Sequence, residues 1–170
     1  LLKTGQSARG VAFGPMATVV SGSTQHMTDA DLRAVANYLQ SLPARAAAKE
    51  LSTPFDARAL TEQGSKVYKK HCADCHGARG QGVAGVYPPL DGNSSVTEPK
   101  GINATRMVLL GGFAPVTAAN QRPYSMPPFA QQLSDEDVAA VVTYLRRSWS
   151  NYGSSVRAEQ VRASRHTPIE

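Results

Sequence analysis

The sequence predicts a mainly α-helical protein, a small helical bundle, and three observations support this. Four segments carry apolar residues at helical spacing, namely residues 28–39, 60–72, 103–110 and 135–148. No strand–helix–strand pattern surrounds the two cysteines of the chain. With 170 residues, 41% of them hydrophobic and 18% charged, the chain fits one globular domain or one and a half.

The charge of the chain bears on its partners. The formal net charge of +5 favours an acidic partner or a membrane surface. The basic residues are spread along the chain and form no run, so nucleic acid is not favoured as a partner. The longest apolar segment, residues 138–145, is too short to span a bilayer and fits a packed helix.

Residues 72–76 read Cys-Ala-Asp-Cys-His, which is the C-x-x-C-H signature for covalent attachment of c-type haem. Cys72 and Cys75 can each add to one vinyl group of a porphyrin, which places His76 under the iron as an axial ligand. A neutral imidazole nitrogen is a good donor to haem iron. We therefore predict one haem c, attached through Cys72 and Cys75, with His76 bound to the iron.

Attachment of this haem takes place outside the cytoplasm in bacteria, so we expect a periplasmic location. The chain begins Leu1-Leu2-Lys3 and has no charged region followed by the apolar run of a signal peptide. We interpret it as a mature or truncated exported chain.

Two other uses of a cysteine pair are less favoured. A structural zinc site needs four ligands, and the three remaining histidines, His26, His71 and His166, are scattered along the sequence. A thioredoxin-like redox pair would follow a strand in a strand–helix–strand pattern, which is missing here. If haem takes both thiols, no cysteine remains for a disulfide.

The residues after His76 are predicted to wrap the haem. Residues 77–85 are rich in glycine, and a phosphate-binding loop is not favoured because no Gly-Lys-Ser/Thr ends the stretch. The run Tyr-Pro-Pro-Leu at 87–90 follows, and one of its carbonyls is expected to accept a hydrogen bond from the His76 ring. We count Pro89 and Leu90 among the haem-binding residues.

A haem that only carries electrons needs a second axial ligand, and Met is typical where the potential is high. Met126 precedes two prolines that restrict the backbone just before the last helix, so we assign it to the iron opposite His76. An exposed loop methionine is the alternative. Met107 lies in an apolar run and Met27 aligns with a core position of the repeat below, so both are expected in the core.

Two of the predicted helices repeat one pattern. Residues 28–39 and 134–145 share a Thr or Ser N-cap, acidic residues in the first turn, the same apolar positions and a Tyr-Leu pair. Only the second copy follows an attachment motif. We infer that the first copy ends a preceding haem domain, and that Met16 is the ligand of a haem this chain cannot itself attach. Chance similarity of two amphipathic helices is the alternative.

The predicted organisation follows from this repeat. It comprises a remnant of a preceding domain at 1–43, an Ala-rich linker at 44–57, a haem domain at 58–150 and a polar C-terminal tail at 151–170. The tail is basic and carries no strong core signal. In the haem domain, Gly64 lies inside a helix at a cost of about 1 kcal/mol relative to Ala, which suggests close approach of Tyr144 on the last helix.

With these motifs placed, the chain resembles a class I cytochrome c domain. More narrowly, it resembles the C-terminal part of the multihaem cytochrome c subunit of membrane-bound dehydrogenases, both quinoprotein alcohol dehydrogenases and flavin-dependent gluconate or sorbitol dehydrogenases. The narrower resemblance rests on Gly14-Pro15-Met16-Ala17, on residues 23–32 and 38–43, and on Ser148-Trp149-Ser150-Asn151.

The resemblance implies a class I cytochrome c fold preceded by a partial cytochrome c domain. In that family three haem domains follow one another, and the match here spans the end of the second and all of the third. The resemblance also implies a location facing the periplasm, electrons from a quinoprotein or flavoprotein dehydrogenase subunit, and delivery to ubiquinone or the respiratory chain in the membrane. The chain departs from the family in lacking the attachment motif for the haem of Met16.

The function we expect is outer-sphere electron transfer. A role as the electron-transfer subunit of a dehydrogenase complex is favoured over a role as an independent catalyst. Lys69, Lys70 and Arg79 flank the motif as a docking rim for an acidic partner or as counter-charges to the propionates, or they form a solvated helix face. The rivals are a peroxidase-like haem enzyme with an open iron site, a module that uses the cysteine pair without haem, and a carrier that feeds a terminal oxidase or serves a sulfur-compound dehydrogenase.

Overall fold

The computed structural model describes residues 1–43 and 57–165, and helices form most of its architecture. The helices are α1 (Pro15–Gly22), α2 (Asp29–Ser41), α3 (Ala57–His71), α4 (Ala73–His76), α5 (Ser94–Thr97), α6 (Ile102–Leu110), α7 (Asp135–Arg147) and α8 (Ala158–Arg165). Two short antiparallel ladders pair β1 (Gln6–Ser7) with β2 (Gly10–Val11) and β3 (Gly112–Phe113) with β4 (Ser125–Met126). The helices of these two stretches are all too short or too polar to cross a membrane.

The four predicted helices are present, as α2, α3, α6 and α7. The N-caps of the repeated pair also form as expected, because Thr28 Oγ1 accepts from Asp31 N at 3.2 Å and Ser134 Oγ accepts from Asp137 N at 3.1 Å. The linker predicted at 44–57 lies, except for Ala57, outside the described residues.

Helix α7 lies at the centre of the core. Its apolar side packs most extensively against α3, and α6 and α8 also contact it. A Cβ atom at Gly64 of α3 would lie 2.1 Å from the carbonyl oxygen of Ala140 and 2.7 Å from Tyr144 Cβ. The predicted close approach of α3 and α7 at Gly64 is therefore confirmed, since only a glycine leaves room for the α7 backbone.

The expectation of a tail without core contacts is wrong for the part of it that the structure describes. Helix α8 packs on α6 and α7, and Val156 and Val161 are fully buried in the same cluster as the α7 valines. The sequence signal was weak because these two valines are separated by four mostly polar residues. The tertiary structure supplies the pocket that each valine fills.

Two arginines attach this C-terminal region to the rest of the bundle. Arg165 donates to the carbonyl oxygens of Ala130 and Leu133 at 2.6 and 2.7 Å. Arg146 of α7 is fully buried, and its Nε donates to the carbonyl oxygen of Ser154 in the C-terminal region at 2.8 Å. Its Nη1 donates to the carbonyl oxygens of Val96 and Glu98 at 2.8 and 2.6 Å. Buried charge of this kind is tolerated because the fixed fork of the guanidinium is hydrogen-bonded to backbone oxygens.

The N-terminal segment packs on the loops of the region that carries the cysteines. Arg9 Nε donates to the carbonyl oxygen of Gly92 at 3.2 Å, and Ser94 N donates back to the carbonyl oxygen of Arg9 at 3.3 Å. Further along, Gln25 Nε2 donates to the carbonyl oxygen of Val116 at 3.3 Å. Helix α2 follows this segment and buries none of its residues.

Candidate functional site

The two thiols lie at the junction of α3 and α4. Cys72 is the N-cap residue of α4, and the amides of Cys75 and His76 both donate to its carbonyl oxygen, at 3.3 and 2.9 Å. Residues three apart in one helical turn share a face, so the turn brings both thiols to one side. Both are free thiols; Cys72 is half-buried against the core and Cys75 is exposed.

The His76 ring is held in one orientation by a backbone carbonyl. Its Nδ1 atom lies 3.0 Å from the carbonyl oxygen of Pro88, and because a carbonyl can only accept, Nδ1 carries the proton. The prediction that residues 87–90 supply this acceptor is confirmed, and the acceptor is Pro88. The arrangement leaves the lone pair of Nε2 available to a metal.

Burial sets the charge of the same ring. His76 is only 8% exposed, and desolvation lowers its pKa below 6.5, a shift that the hydrogen bond to Pro88 opposes without reversing. The imidazole is therefore neutral at pH 7. Neutral imidazole is the form that binds haem iron.

The Cys72 thiol is also in its neutral form. Burial, together with the neighbouring Cys75, raises the pKa of Cys72 to about 11. Reactive redox cysteines and zinc ligands sit where the thiol pKa is lowered, which is the opposite situation. In the part of the chain that the structure describes, no three or more His, Cys, Asp and Glu side chains converge on a metal position.

The loop that carries Met126 is held against the end of α6. Met126 pairs with Gly112 across the short ladder of β3 and β4, and Phe129 N donates to the carbonyl oxygen of Val108 at 3.0 Å. A Cβ at Gly111 would lie 2.3 Å from the Met126 carbonyl oxygen, and Gly111 has a positive φ of 63°, so glycine is required there.

Several predicted site residues pack against the same hydrophobic core. Cys72, Leu90 and Met126 are all half-buried and all pack against the core cluster that contains the α7 valines. Pro89 lies beside Leu90, and its carbonyl oxygen accepts from Asn93 Nδ2 at 2.8 Å. The assignment of Met126 to the iron stays a prediction.

The other methionines lie elsewhere. Met16 is in the first turn of α1 and is 44% exposed. Met27 is half-buried, and so is Met107, whose Sδ atom would lie 3.6 Å from a Cβ at Gly112. The role predicted for Met16 concerns a haem of another domain and also stays a prediction.

Three aromatic rings pack together beside the turn that carries the two cysteines. Tyr68, Tyr144 and Trp149 contact one another with ring centroids 5.4 to 5.7 Å apart. The Tyr68 hydroxyl donates to the carbonyl oxygen of Gly77 at 2.5 Å, and burial raises the pKa of this tyrosine to about 12. The hydroxyl is therefore a permanent donor that ties α3 to the residue after His76.

A cavity of about 420 Å³ lies next to Pro88, between the N-terminal segment and two loops of the cysteine-bearing region. Phe13 lines it from the N-terminal side, and Tyr87 and Tyr124 line it from the other, with their ring centroids 5.2 Å apart. Residues 1–43 thus form part of the surroundings of the site.

Sequence reasoning missed two buried asparagines, Asn93 and Asn151, which hold the segment after Pro88. The sequence gives no periodic signal for either, since Asn93 is the N-cap residue of α5 and Asn151 lies outside the helices and strands. Their role depends on which backbone groups the tertiary structure leaves unpaired.

The profile of the cytochrome c family matches residues 61–149 of this chain. The chain therefore belongs to the cytochrome c family, and the predicted mainly α-helical class I fold is confirmed. Membership implies a covalently bound haem c and electron transfer. The residues present fit that group: two cysteines on one turn, both outside any disulfide, and a neutral histidine whose Nε2 lone pair is available.

Among individual proteins, the chain is similar to cytochrome subunits of dehydrogenases. It is 37% identical over 174 residues to the cytochrome c subunit of a quinone-dependent alcohol dehydrogenase from Gluconobacter oxydans (strain 621H), an alignment of 98% of this chain and 36% of the relative. It is 35% identical over 158 residues to the gluconate 2-dehydrogenase cytochrome c subunit of Pantoea cypripedii, covering 88% of this chain and 36% of the relative. The chain thus spans little more than a third of the length of these curated relatives.

Proposed function

We propose that this chain is the haem-bearing end of an electron-transfer subunit, which takes electrons from a dehydrogenase catalytic subunit and passes them toward the quinone pool or respiratory chain. The observation that carries the proposal is His76: it directly follows the cysteine pair, and it is buried, neutral and held through Nδ1 by Pro88. A haem held there supplies reversible one-electron oxidation and reduction of its iron.

In this proposal the residues of the chain hold one ligand set in both oxidation states. His76 and Met126 would bind the iron; the His76 ring is held by the Pro88 carbonyl, and the backbone of Met126 is held by its pairing with Gly112. Cys72 and Leu90 pack on the apolar core, which limits access of water to the site. Rigid ligands on both sides favour electron transfer over substrate binding at the iron.

The partner is proposed from charge and from the names of the relatives. Lys69, Lys70 and Arg79 are exposed next to the attachment turn, and the whole chain carries a net charge of +5. An acidic surface on a quinoprotein or flavoprotein dehydrogenase would be steered toward such a rim. The alcohol and gluconate dehydrogenase subunits found among the relatives support this class of partner.

The location we propose is the periplasmic face of the cytoplasmic membrane, within such a complex. Covalent haem attachment outside the cytoplasm and delivery of electrons toward a quinone both support it. We further propose that residues 1–43 end a preceding haem domain with Met16 as its iron ligand. The support is the N-cap and helix pattern that α2 shares with α7.

The test is to produce the full chain in a host that exports and matures c-type cytochromes. Mass spectrometry is expected to show the mass of one haem on the peptide, and the spectrum is expected to be low-spin and six-coordinate. Met126→Ala is expected to give a high-spin iron that binds small ligands, whereas Met107→Leu, a matched change at a half-buried methionine, leaves the spectrum unchanged. A colourless chain at its peptide mass would refute the proposal, and an unchanged spectrum in Met126→Ala would refute the ligand assignment.

A further inference from the structure

The backbone of residues 88–92, which we call the strap, is hydrogen-bonded at almost every position. The Pro88 carbonyl accepts from His76, and the Pro89 carbonyl accepts from Asn93. On its other side the strap is tied to Gly80, whose carbonyl oxygen accepts from the amides of residues 90 and 91 at 2.7 and 3.0 Å. The strap is therefore fixed by partners from several parts of the fold.

Asn151 supplies the tie between the strap and α7. Asn151 is only 3% exposed, and its Nδ2 atom donates to the carbonyl oxygens of Leu90 and Leu145 at 2.9 and 2.8 Å. Its Oδ1 accepts from Gly92 N at 3.0 Å. The buried side-chain amide of Asn151 thus forms three hydrogen bonds to backbone groups, two as a donor and one as an acceptor.

The position of Leu90 determines the direction of the Pro88 carbonyl. Pro88 and Pro89 each have φ locked near −65° by their rings. Pro88 also precedes a proline, which restricts its ψ to extended values. Few torsions remain free between Leu90 and the Pro88 carbonyl, so a shift of Leu90 turns the carbonyl that His76 donates to.

We infer that Asn151 is a positioning residue for the iron ligand: it holds the strap so that the Pro88 carbonyl meets His76 Nδ1. A hydrogen bond from Nδ1 orients the imidazole and makes it a stronger donor, which favours the ferric state of a haem bound to Nε2. The inference depends on the haem attachment proposed above but not on the identity of the dehydrogenase or of the final acceptor.

The experiment compares Asn151→Ala with Ser150→Ala in the full, haem-loaded chain. Ser150 is the neighbouring exposed residue, and its hydroxyl donates to the carboxylate of Asp91, a side chain of the strap. Removing this hydroxyl therefore leaves the hydrogen bonds of the strap backbone in place. The midpoint potential and the proton NMR signal of His76 Nδ1–H are measured. Asn151→Ala is expected to raise the potential, by a threefold to tenfold change in the ferric-to-ferrous preference, where tenfold corresponds to about 59 mV. Ser150→Ala is expected to leave both readouts unchanged.

The outcomes separate this inference from its premises. If the haem-loaded Asn151→Ala chain keeps the wild-type potential and imidazole signal, Asn151 has only a structural role and the inference is wrong. An equal shift in Ser150→Ala would overturn it too, because loosening any part of the turn would then suffice. If Asn151→Ala does not fold, Asn151→Ser decides the question by the same two readouts. A wild-type chain without haem would instead refute the proposed function.

Discussion

Helices α2 and α7 carry the same sequence pattern in opposite surroundings. Each is 13 residues long, each is capped by a hydroxyl that accepts from the third residue of the helix, and each has acidic residues in its first turn. Yet α7 buries eight residues and α2 buries none. Leu145 is 5% exposed, whereas Leu39 at the equivalent position is 54% exposed.

This difference in burial shows that the interactions that form a helix are distinct from those that bury it in the core. Caps, acidic first turns and apolar spacing are local properties, and they produce a helix in both places. Burial requires neighbours, and in the described part of the chain α3, α6 and α8 give these to α7. We expect α2 to rely on local interactions and α7 on packing, and three experiments test this expectation.

The largest expected effect comes from truncating the equivalent leucines. Leu145→Ala removes a buried side chain from the core cluster and is expected to cost about 2–5 kcal/mol of unfolding free energy. Leu39→Ala removes an exposed side chain and is expected to change it by no more than about 0.5 kcal/mol. Urea denaturation of both variants measures the difference. Equal losses would show that α2 is as well packed in solution as α7.

A smaller effect is expected at the contact of α3 with α7. Helix propensity alone predicts that Gly64→Ala stabilises α3 by about 1 kcal/mol. Because the new Cβ would meet the backbone of Ala140, we expect instead a net loss of about 1–3 kcal/mol. Gly22→Ala at the end of α1, where a Cβ meets nothing within 4 Å, is the matched control and is expected to be near neutral. A stabilised Gly64→Ala chain would mean that α3 and α7 are farther apart than the structure places them.

The smallest effect concerns pH and the first turns of the two helices. In α7 the Arg165 guanidinium, and after it Arg162, holds the pKa of the Asp135 carboxyl below its usual 3.8. The contribution to stability is therefore present above pH 4 and is lost as the pH falls through the lowered folded-state pKa. In α2 the equivalent residue is Asp29, whose Oδ1 lies 4.0 Å from Lys3 Nζ. Both side chains are well exposed, so this ion pair is expected to contribute little.

We expect acidification below pH 4 to loosen α8 from α7 before α7 itself unfolds. Protection of the α8 amides against hydrogen exchange, relative to the unfolded chain at the same pH, measures this loosening. Asp135→Asn is expected to lower the protection at neutral pH and to remove its further loss below pH 4. An equal loss of protection with falling pH in Asp135→Asn would show that another group is responsible.

The haem motif and the four main helices could be predicted because each is a local signal. Cys72, Cys75 and His76 occupy a fixed spacing, and the helices show caps and apolar periodicity within about a dozen residues. The requirement for a carbonyl beside His76 also follows from chemistry, although the choice of Pro88 within residues 87–90 does not.

Other features depended on contacts between residues far apart in the sequence. Val161 joins the core and Asn151 ties the strap to α7, but no apolar periodicity indicates that either residue is buried. The N-terminal segment, which the repeat assigns to another domain, is hydrogen-bonded to the strap through Arg9 and Gly92.

By itself the sequence singled out the residues that we assign to the haem, namely a cysteine pair with its histidine and a methionine before α7, and it determined the four main helices. The tertiary structure alone decided which of two similar helices is buried, which carbonyl holds His76, and how the C-terminal helix docks. The reason is that hydrogen bonds within one turn are specified by adjacent residues. Burial and the pairing of distant backbone groups are specified only by the fold as a whole.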